Sequence, residues 1–280
     1  MKKFFIGLAA RLFPHYFIEK AYHFLTVPTQ HRMRPHESLV LDNAQKSTFR
    51  YQNKEIVLYR WGNGRSKVLM VHGWEGHAGN FADIVESLMA KGEDYTLWAF
   101  DGPSHGASEK GPTSSFAFIG LVEQLVEKLS PDHLINHSFG SVATLLALGK
   151  NPKMKIERYI GITVPNTFRE RLEDIAQMLG LPALIVTGLV RKIETLQNIK
   201  VDDIAVAKAA PKTGIQKALL LHDKNDRVLP ASKTKTVAKN WPVATYKEVT
   251  KTGHYKILRS PKVLEIIRQF LDESSKKEST

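Results

Sequence analysis

The feature that most constrains the fold is a strict alternation of strand-like and helix-like segments between residues 67 and 164. Short apolar runs rich in β-branched and aromatic residues predict strands, whereas apolar residues at helical spacing predict helices. The strands are predicted at 67–71, 95–100, 133–136 and 159–164, and the helices at 80–90, 115–129 and 138–148. Because alternating strands and helices form a mostly parallel sheet with helices on both faces, the sequence predicts the α/β class.

The alternation stops at residue 165 and resumes after residue 212. Residues 165–212 show helical periodicity without a strand-like run, and strand and helix patterns then return up to residue 271. We interpret 37–164 and 213–272 as one discontinuous α/β core, and 165–212 as a helical cap inserted into it. Residues 273–280 are polar and charged, which predicts a disordered tail.

The N-terminal residues 1–36 are strongly basic. They contain six basic residues and one acidic residue, a contribution of 6 − 1 = +5 to a formal net charge of +12. Apolar residues recur at roughly helical spacing, with Pro14 as a break, so we predict an N-terminal helical segment that docks on the core. Peripheral contact with a membrane is the alternative, since cationic amphipathic helices lie at lipid interfaces. No apolar run approaches the ~20 residues that a membrane-spanning helix needs.

The composition excludes several other classes of protein. The chain has no cysteine, which excludes disulfides and thiolate chemistry and fits a cytoplasmic location. Apolar residues make up 42% and charged residues 24%, as in ordinary globular proteins. The lysines and arginines form no stripe interleaved with aromatic residues, so we expect no nucleic-acid partner. The sequence leaves the oligomeric state open.

A candidate nucleophile lies where a predicted strand meets a predicted helix, in the run Leu-Ile-Asn-His-Ser-Phe-Gly-Ser at 134–141. A serine at a sharp strand-to-helix turn is held in strained backbone geometry that lifts its hydroxyl above the sheet. Ser138 has this position, and Gly140 is small enough for the strand and helix to approach closely. Asn136 departs from the glycine that is usual two residues before the serine. Taken alone, this run is equally compatible with a serine that caps a helix.

A second loop supports the catalytic interpretation. The predicted strand 67–71 is followed by His-Gly-Trp-Glu-Gly at 72–76. Such a loop can present a backbone N–H to a developing oxyanion, and the residue after the nucleophile supplies the second donor. The candidate oxyanion donors are therefore the amides of Trp74 and Phe139.

These motifs, together with three others, resemble the α/β-hydrolase family, in particular bacterial members with the elbow Gly-His-Ser-Phe-Gly-Gly. The others are Phe-Asp-Gly-Pro-Ser-His-Gly-Ala-Ser at 100–108, His-Asp-Lys-Asn-Asp-Arg-Val-Leu-Pro at 222–230 and Gly-His-Tyr-Lys-Ile-Leu at 253–258. Together the motifs span residues 68–258 in the family order. The resemblance implies an α/β-hydrolase fold with Ser138 as nucleophile, Asp226 as the acid and His254 as the base, in the chain order that this fold uses. Asp223 is the alternative acid.

The resemblance implies a serine hydrolase that cleaves a carboxylic ester or a related acyl bond through an acyl-enzyme. We expect no cofactor and no metal, because His72, His77 and Asp101 lack the spacing of known zinc motifs. We expect His72, His105 and His137 to have structural roles. Two alternatives remain: a binding protein without turnover, and a thioesterase or acyltransferase that acts on lipids at a membrane surface. Eight apolar residues of the cap either line a pocket above Ser138 or pack against each other: Ile175, Met178, Leu179, Leu184, Ile185, Leu189, Val190 and Ile193.

Overall fold

The fold is an eight-stranded, mostly parallel sheet covered by helices on both faces, which confirms the predicted α/β-hydrolase architecture. The structure is a computed structural model that describes residues 2–29, 32–90 and 94–272. The predicted disordered tail, 273–280, lies outside the described residues. The strands are β1 (Gln45–Tyr51), β2 (Lys54–Trp61), β3 (Ser66–Val71), β4 (Tyr95–Phe100), β5 (His133–His137), β6 (Lys155–Ile162), β7 (Gly214–Asp223) and β8 (Ala244–Val249).

The strand order is β1-β2-β4-β3-β5-β6-β7-β8. Strand β2 is antiparallel to both of its neighbours, and the remaining pairs are parallel. Strands β1 and β2 form a hairpin. Its two turn residues, Gln52 and Asn53, have φ of 45° and 63°, as a type I′ turn requires. The parallel strands all end at one edge of the sheet, and the loops that follow them carry the candidate site.

The helices are α1 (Lys2–Leu12), α2 (Pro14–Thr26), α3 (Pro35–Asp42), α4 (Ala82–Met89), α5 (Ser115–Leu129), α6 (Phe139–Lys150), α7 (Phe168–Leu179), α8 (Ala183–Gln197), α9 (Val206–Ala209), α10 (Ala231–Lys239), α11 (Gly253–Lys256) and α12 (Pro261–Asp272). None of these helices has the length and apolar character that crossing a bilayer requires. Helix α3 was not predicted, and the boundary predicted after residue 36 falls inside it. Pro35 in its first turn and the Glu37 carboxylate, which accepts from the backbone N–H of Arg34, define where α3 begins.

Alternate side chains of the strands face two separate cores. Val68 and Met70 of β3 pack with α4 and α12 on one face, whereas Leu69 and Val71 pack with α5 and α6 on the other. This continuous apolar run is typical of a parallel strand that is buried on both faces. A third apolar cluster joins α7 and α8 to the inner face of α2. The N-terminal segment therefore packs against the helices inserted after β6.

Candidate active site

Ser138 lies at the turn between β5 and α6 and has φ 50° and ψ −120°. Positive φ is strained for a residue with a side chain, so the surrounding structure must hold it in place. The Ser138 N–H donates to the carbonyl of Ile162, at 2.9 Å. A Cβ on Gly140 would lie only 2.2 Å from the carbonyl oxygen of Val71, so only glycine lets α6 approach β3 this closely. The local geometry is that of a nucleophile elbow.

Asn136, the departure from the usual glycine, is buried at the end of β5. Its side-chain Nδ2 lies 3.5 Å from the carbonyl oxygen of Gly140, in the first turn of α6. This contact is at the long limit of a hydrogen bond. The asparagine is therefore accommodated in the packing between strand and helix beneath the elbow, and Ser138 keeps the positive φ of the turn.

Three predicted site residues form one hydrogen-bonded line. The Nε2 of His254 lies 3.2 Å from the Oγ of Ser138, and its Nδ1 lies 2.7 Å from the Oδ2 of Asp226. Asp226 also accepts from the backbone N–H groups of Val228, at 2.7 Å, and Leu229, at 3.0 Å. The loops after β5, β7 and β8 thus bring Ser138, Asp226 and His254 together.

The surroundings of Asp226 favour its ionised form. Burial alone would raise the pKa of this carboxyl, but hydrogen bonds from His222, His254 and the Leu229 N–H outweigh it and hold the pKa far below its usual range. A carboxylate at this position fixes the proton of His254 on Nδ1. The Nε2 lone pair of His254 then faces the Ser138 hydroxyl, as a general base requires.

His222, which is fully buried beside Asp226, belongs to the site although the sequence motifs did not indicate it. Its Nε2 lies 3.4 Å from the Asp226 Oδ2 and 3.0 Å from the Leu229 carbonyl, and its Nδ1 lies 2.6 Å from the Thr234 hydroxyl. His222 therefore contacts the same carboxylate oxygen as His254 and helps to hold it in place. The signal in the sequence was its position four residues before Asp226, directly after the apolar run 218–221.

Asp223, the alternative acid, lies in a different environment from Asp226. Its Oδ2 accepts from the Thr252 hydroxyl, at 2.7 Å, and from the Gly253 N–H, at 2.8 Å. Burial raises the pKa of this carboxyl, but these hydrogen bonds and those from the Thr252 and Asn225 N–H groups give a net lowering. The structure thus places Asp223 at the base of the loop that carries His254, and places Asp226 against the imidazole itself.

The predicted oxyanion loop lies directly beside the elbow. A Cβ on Gly73 would lie 3.2 Å from the Cβ of Ser138, so the glycine permits this approach. The loop closes through a hydrogen bond from the Gly76 N–H to the Gly73 carbonyl, at 3.0 Å. The side chains of Trp74 and Phe139 are in edge contact, with ring centroids 5.7 Å apart, and both residues line the same cavity as Ser138.

Two buried histidines hold the oxyanion loop in place. His72 accepts at Nε2 from the Gly102 N–H, at 2.9 Å, so its Nδ1–H donates to the Gly73 carbonyl, at 2.7 Å. His105 accepts at Nε2 from the Glu75 N–H, at 3.2 Å. Glu75 has φ of 63°, a left-handed conformation that this hydrogen bond stabilises. The loop is therefore fixed before any substrate binds, which is what oxyanion stabilisation requires.

A third buried histidine, His137, connects the elbow to the base. Its Nε2–H donates to the backbone carbonyl of His254, at 2.9 Å. Burial lowers the pKa of His72, His105 and His137 to about 3 in each case. All three rings are thus neutral in the folded protein at neutral pH, and each has a fixed tautomer.

Because these three histidines are buried and neutral, we expect the free energy of unfolding to fall steeply in acid. In the unfolded chain each would titrate near ~6.5, so below that pH these three side chains together bind up to three more protons in the unfolded state than in the folded state. Stability from this source is complete above pH ~6.5 and is lost as the pH falls, by up to about 4 kcal/mol per pH unit. Urea unfolding at several pH values between 7 and 4.5 measures this slope.

Two histidine variants provide the control for this prediction. Burial also lowers the pKa of a fourth histidine, His133, to about 4. His105→Gln is therefore expected to reduce the slope by about one quarter, because one of four protons is removed. His15→Gln, which replaces a histidine with a 91% exposed side chain, is expected to leave the slope unchanged. Equal slopes for His105→Gln and the wild type would contradict the assignment of a neutral, buried ring to position 105.

The residues considered for a metal site have other partners. Asp101 accepts from the backbone N–H of Ala78, at 2.8 Å, and from the hydroxyl of Tyr59, at 3.1 Å. Both ring nitrogens of His72 are in hydrogen bonds. Within residues 2–29, 32–90 and 94–272, no group of three histidine, aspartate or glutamate side chains is arranged to hold a metal ion.

A cavity of about 450 Å³ opens beside Ser138 and His254. Its walls are largely apolar and come from α2, α6, α7 and the segment after β8: Phe24, Leu25, Phe139, Val142, Phe168, Ile175 and Leu258. Four arginines and two glutamates also line it: Arg32, Arg34, Arg171, Arg259, Glu37 and Glu75.

Of the eight apolar residues of the cap named in the sequence analysis, only Ile175 lines the cavity. Ile185, Leu189, Val190 and Ile193 are buried in helix packing, and Met178, Leu179 and Leu184 are exposed.

A model of the α/β-hydrolase family matches residues 68–188, which contain β3, the oxyanion loop and Ser138. The match covers 121 of the 280 residues, so this segment is similar to the α/β-hydrolase family, and the chain has the α/β-hydrolase fold. A comparison with curated protein sequences finds no match.

Solved structures of low sequence identity share the fold of this chain. A membrane phospholipase A, described as a bacterial virulence factor, has a TM-score of 0.64 at 16% identity, over 98% of this chain and 99% of its own. Mouse α/β hydrolase domain-containing protein 10 has a TM-score of 0.65 at 16% identity, over 84% and 100%. Est1E of Butyrivibrio proteoclasticus, solved with ferulic acid, has a TM-score of 0.60 at 14% identity, over 82% and 98%.

Proposed function

We propose that this α/β hydrolase cleaves a carboxylic ester or a related acyl bond, with Ser138 as nucleophile, His254 as general base and Asp226 as the acid that orients the imidazole. The observation that carries the proposal is the continuous hydrogen-bonded line through these three side chains, at the wall of an apolar cavity. Activated serines generally have a base within hydrogen-bond distance of the hydroxyl and a carboxylate behind that base. Here the buried imidazole lies 3.2 Å from the serine hydroxyl.

The reaction proceeds in two steps. In the first, the Ser138 Oγ attacks the carbonyl carbon while His254 Nε2 takes its proton, and the amides of Trp74 and Phe139 donate to the oxyanion. His254 then protonates the leaving alkoxide as the C–O bond breaks, which leaves an acyl group on Ser138. In the second step a water molecule, deprotonated by His254, attacks the acyl carbon and releases the acid. Asp226 stabilises the imidazolium that forms in each step.

The cavity favours a substrate with an apolar acyl group. Its apolar walls would remove an acyl chain from water, which contributes roughly 0.8 kcal/mol of binding per buried CH₂. The comparisons support the same class, since one of the similar structures is a membrane phospholipase A and another was solved with ferulic acid. The match with the phospholipase covers 98% of this chain, so it leaves only about six of the 280 residues unmatched and includes most of α1 and α2.

Labelling with a fluorophosphonate probe tests the proposal, because the probe reacts with activated serines. We expect the wild type to be labelled at one site and Ser138→Ala not to be labelled, since the probe phosphonylates the Oγ that His254 activates. Ser115→Ala is the matched control: Ser115 also lines the cavity, and its removal should leave the labelling intact. A folded wild type that is not labelled would contradict the proposal and favour a binding protein without turnover.

A hydrolysis screen then identifies the acyl bond. It compares p-nitrophenyl esters with acyl thioesters, each over a series of increasing acyl-chain length.

A further inference from the structure

Helix α1 points its large apolar side chains towards solvent. Phe4, Leu8 and Leu12 are four residues apart and form one stripe along the helix, and they are 72%, 47% and 66% exposed. Phe5, on the same side, is 63% exposed. Single exposed apolar residues are ordinary, but a contiguous exposed apolar face marks an interaction surface.

The opposite face of α1 makes the contact with the protein. Ala10 is fully buried, and a Cβ on Gly7 would lie 3.2 Å from the carbonyl oxygen of Gly180, at the end of α7. A helix on the surface of a globular protein normally turns its large apolar residues inwards. In α1 the arrangement is reversed, because small residues form the contact with the cap and large ones face outwards. Packing against the residues that the structure describes, 2–29, 32–90 and 94–272, therefore does not account for the phenylalanines and leucines.

Helix α2 anchors the pair of N-terminal helices. Its Ile18 packs against Gly188 of α8, where a Cβ would overlap the isoleucine side chain. Its Glu19 carboxylate Oε2 lies 2.6 Å from the Lys192 ammonium. Ala21, Tyr22 and Leu25 of α2 complete the apolar cluster of α7 and α8. These contacts fix the direction in which the exposed face of α1 points.

The exposed apolar face continues from α1 to the mouth of the cavity. Phe13, between the two helices, and Tyr16, in the first turn of α2, are 64% and 57% exposed. Phe24 lies eight residues after Tyr16, on the same side of α2. It is 46% exposed and also lines the cavity beside Ser138. We call the set Phe4, Phe5, Leu8, Leu12, Phe13, Tyr16 and Phe24 the apolar face.

Positive charge surrounds the apolar face. Lys3, Arg11 and Lys20 are exposed on the same two helices. Glu19 is the sole acidic residue among positions 1–36 of the sequence, and Lys192 holds its carboxylate. An aromatic and aliphatic helix face with a cationic border is the pattern that binds at the interface of an anionic bilayer.

We propose that the apolar face docks on the surface of an anionic lipid bilayer, and that the bilayer supplies acyl esters with an anionic headgroup to the cavity at Ser138. Docking through this face brings the cavity mouth, at Phe24, to the lipid surface. Arg32, Arg171 and Arg259 line the cavity and provide cations for a phosphate or carboxylate group. The inference deepens the proposed function: the substrate class rests on an active Ser138, whereas the docking does not.

A lipid surface fits the apolar face better than a second copy of the chain does. Two copies joined through this face would bring together two segments that each carry a net charge of +5, counted over residues 1–36. Like charges across an interface oppose association, whereas anionic lipid headgroups complement them.

Co-sedimentation with vesicles tests the docking. The protein is the full chain with Ser138→Ala, so that binding is measured without turnover, and the vesicles are phosphatidylcholine alone or phosphatidylcholine with 30% phosphatidylglycerol. We expect sedimentation with the anionic vesicles. The triple change Phe4→Ser, Leu8→Ser and Leu12→Ser is expected to lower the partition coefficient by about a hundredfold. The matched control replaces three exposed apolar residues outside α1 and α2, Leu39→Ser, Leu196→Ser and Val243→Ser, and should still bind.

The outcomes separate the docking from the proposed function. Failure of the Ser138→Ala protein to bind anionic vesicles, or equal binding by the triple variant, overturns the docking. If the parent does not bind vesicles and the triple variant loses a dimer that the parent forms, the docking is overturned in favour of a second copy.

Activity measurements use proteins with Ser138 restored. The triple variant should cleave a short soluble ester at the parent rate, but its activity on phosphatidylglycerol vesicles should fall at least tenfold. Vesicle binding without probe labelling at Ser138 would overturn the proposed function and leave the docking intact. Docking with no release of fatty acid by a labelled enzyme would overturn the substrate class.

Discussion

Replacing His254 with alanine is expected to lower kcat for a soluble ester by about 10⁴-fold or more, with little change in KM. The imidazole is the group within reach of the Ser138 hydroxyl, at 3.2 Å, and without it the alcohol has no positioned base. The apolar cavity that binds the acyl group is otherwise unchanged, so ground-state binding persists. Steady-state kinetics with a p-nitrophenyl ester, and burst kinetics for the acyl-enzyme, measure the effect.

A change at a half-buried histidine outside the site provides the control. His36→Ala removes a surface imidazole of α3 that pairs with Glu86, and it should leave kcat within about twofold of the wild type. Thermal unfolding and circular dichroism establish that both variants are folded. If His254→Ala kept a tenth or more of the wild-type kcat, the base would have to be another residue, and the mechanism proposed here would be wrong.

Replacing Asp226 with asparagine is expected to lower kcat by about 10⁴-fold, because an amide at this position no longer selects the tautomer of His254. An amide N–H directed at Nδ1 would favour the proton on Nε2, and the nitrogen that faces Ser138 would then lack its lone pair. Raising the pH should not restore the activity, since the defect is in the position of a proton. The pH profile of kcat/KM for wild type and variant measures this.

Asp223→Asn is the informative comparison for this prediction. Its carboxylate accepts from Thr252 and Gly253 at the base of the His254 loop, so the variant should lose stability, by about 1–3 kcal/mol, and keep much more turnover than Asp226→Asn. The two carboxyls are three residues apart, and both variants replace aspartate by asparagine. A larger loss of kcat in Asp223→Asn than in Asp226→Asn would show that the wrong acid has been assigned.

The sequence contained enough information for the sheet and for the residues at its edge. The apolar runs of β3 to β6 are buried on both faces, which makes them continuous and easy to recognise. Ser138 directly follows β5 and His254 lies five residues after the end of β8, and the loops after parallel strands meet at one edge. Proximity of these residues could therefore be predicted before any coordinates were available.

Other parts of the site could not be predicted, for physical reasons. Helix α11, which carries His254, is four residues long and offers no periodicity to detect. Asp223 is the last residue of β7 and Asp226 lies three residues later in the loop, so only the direction of each side chain decides which one reaches the imidazole. Periodicity in the cap identified apolar helices, but it could not tell Ile175, which faces the cavity, from the apolar residues that pack in the cap or face solvent.

The hydroxyl and the imidazole are 116 positions apart in the chain, and they meet only through the order of the strands between them. A nascent polypeptide that has completed its first six strands already contains the Ile162 carbonyl that holds the turn at Ser138, yet the imidazole is still to be synthesised. Reactivity is thus the last property to emerge during folding and the first to disappear when the C-terminal strand loosens. In such an architecture, an assay of turnover reports on the integrity of nearly the whole polypeptide.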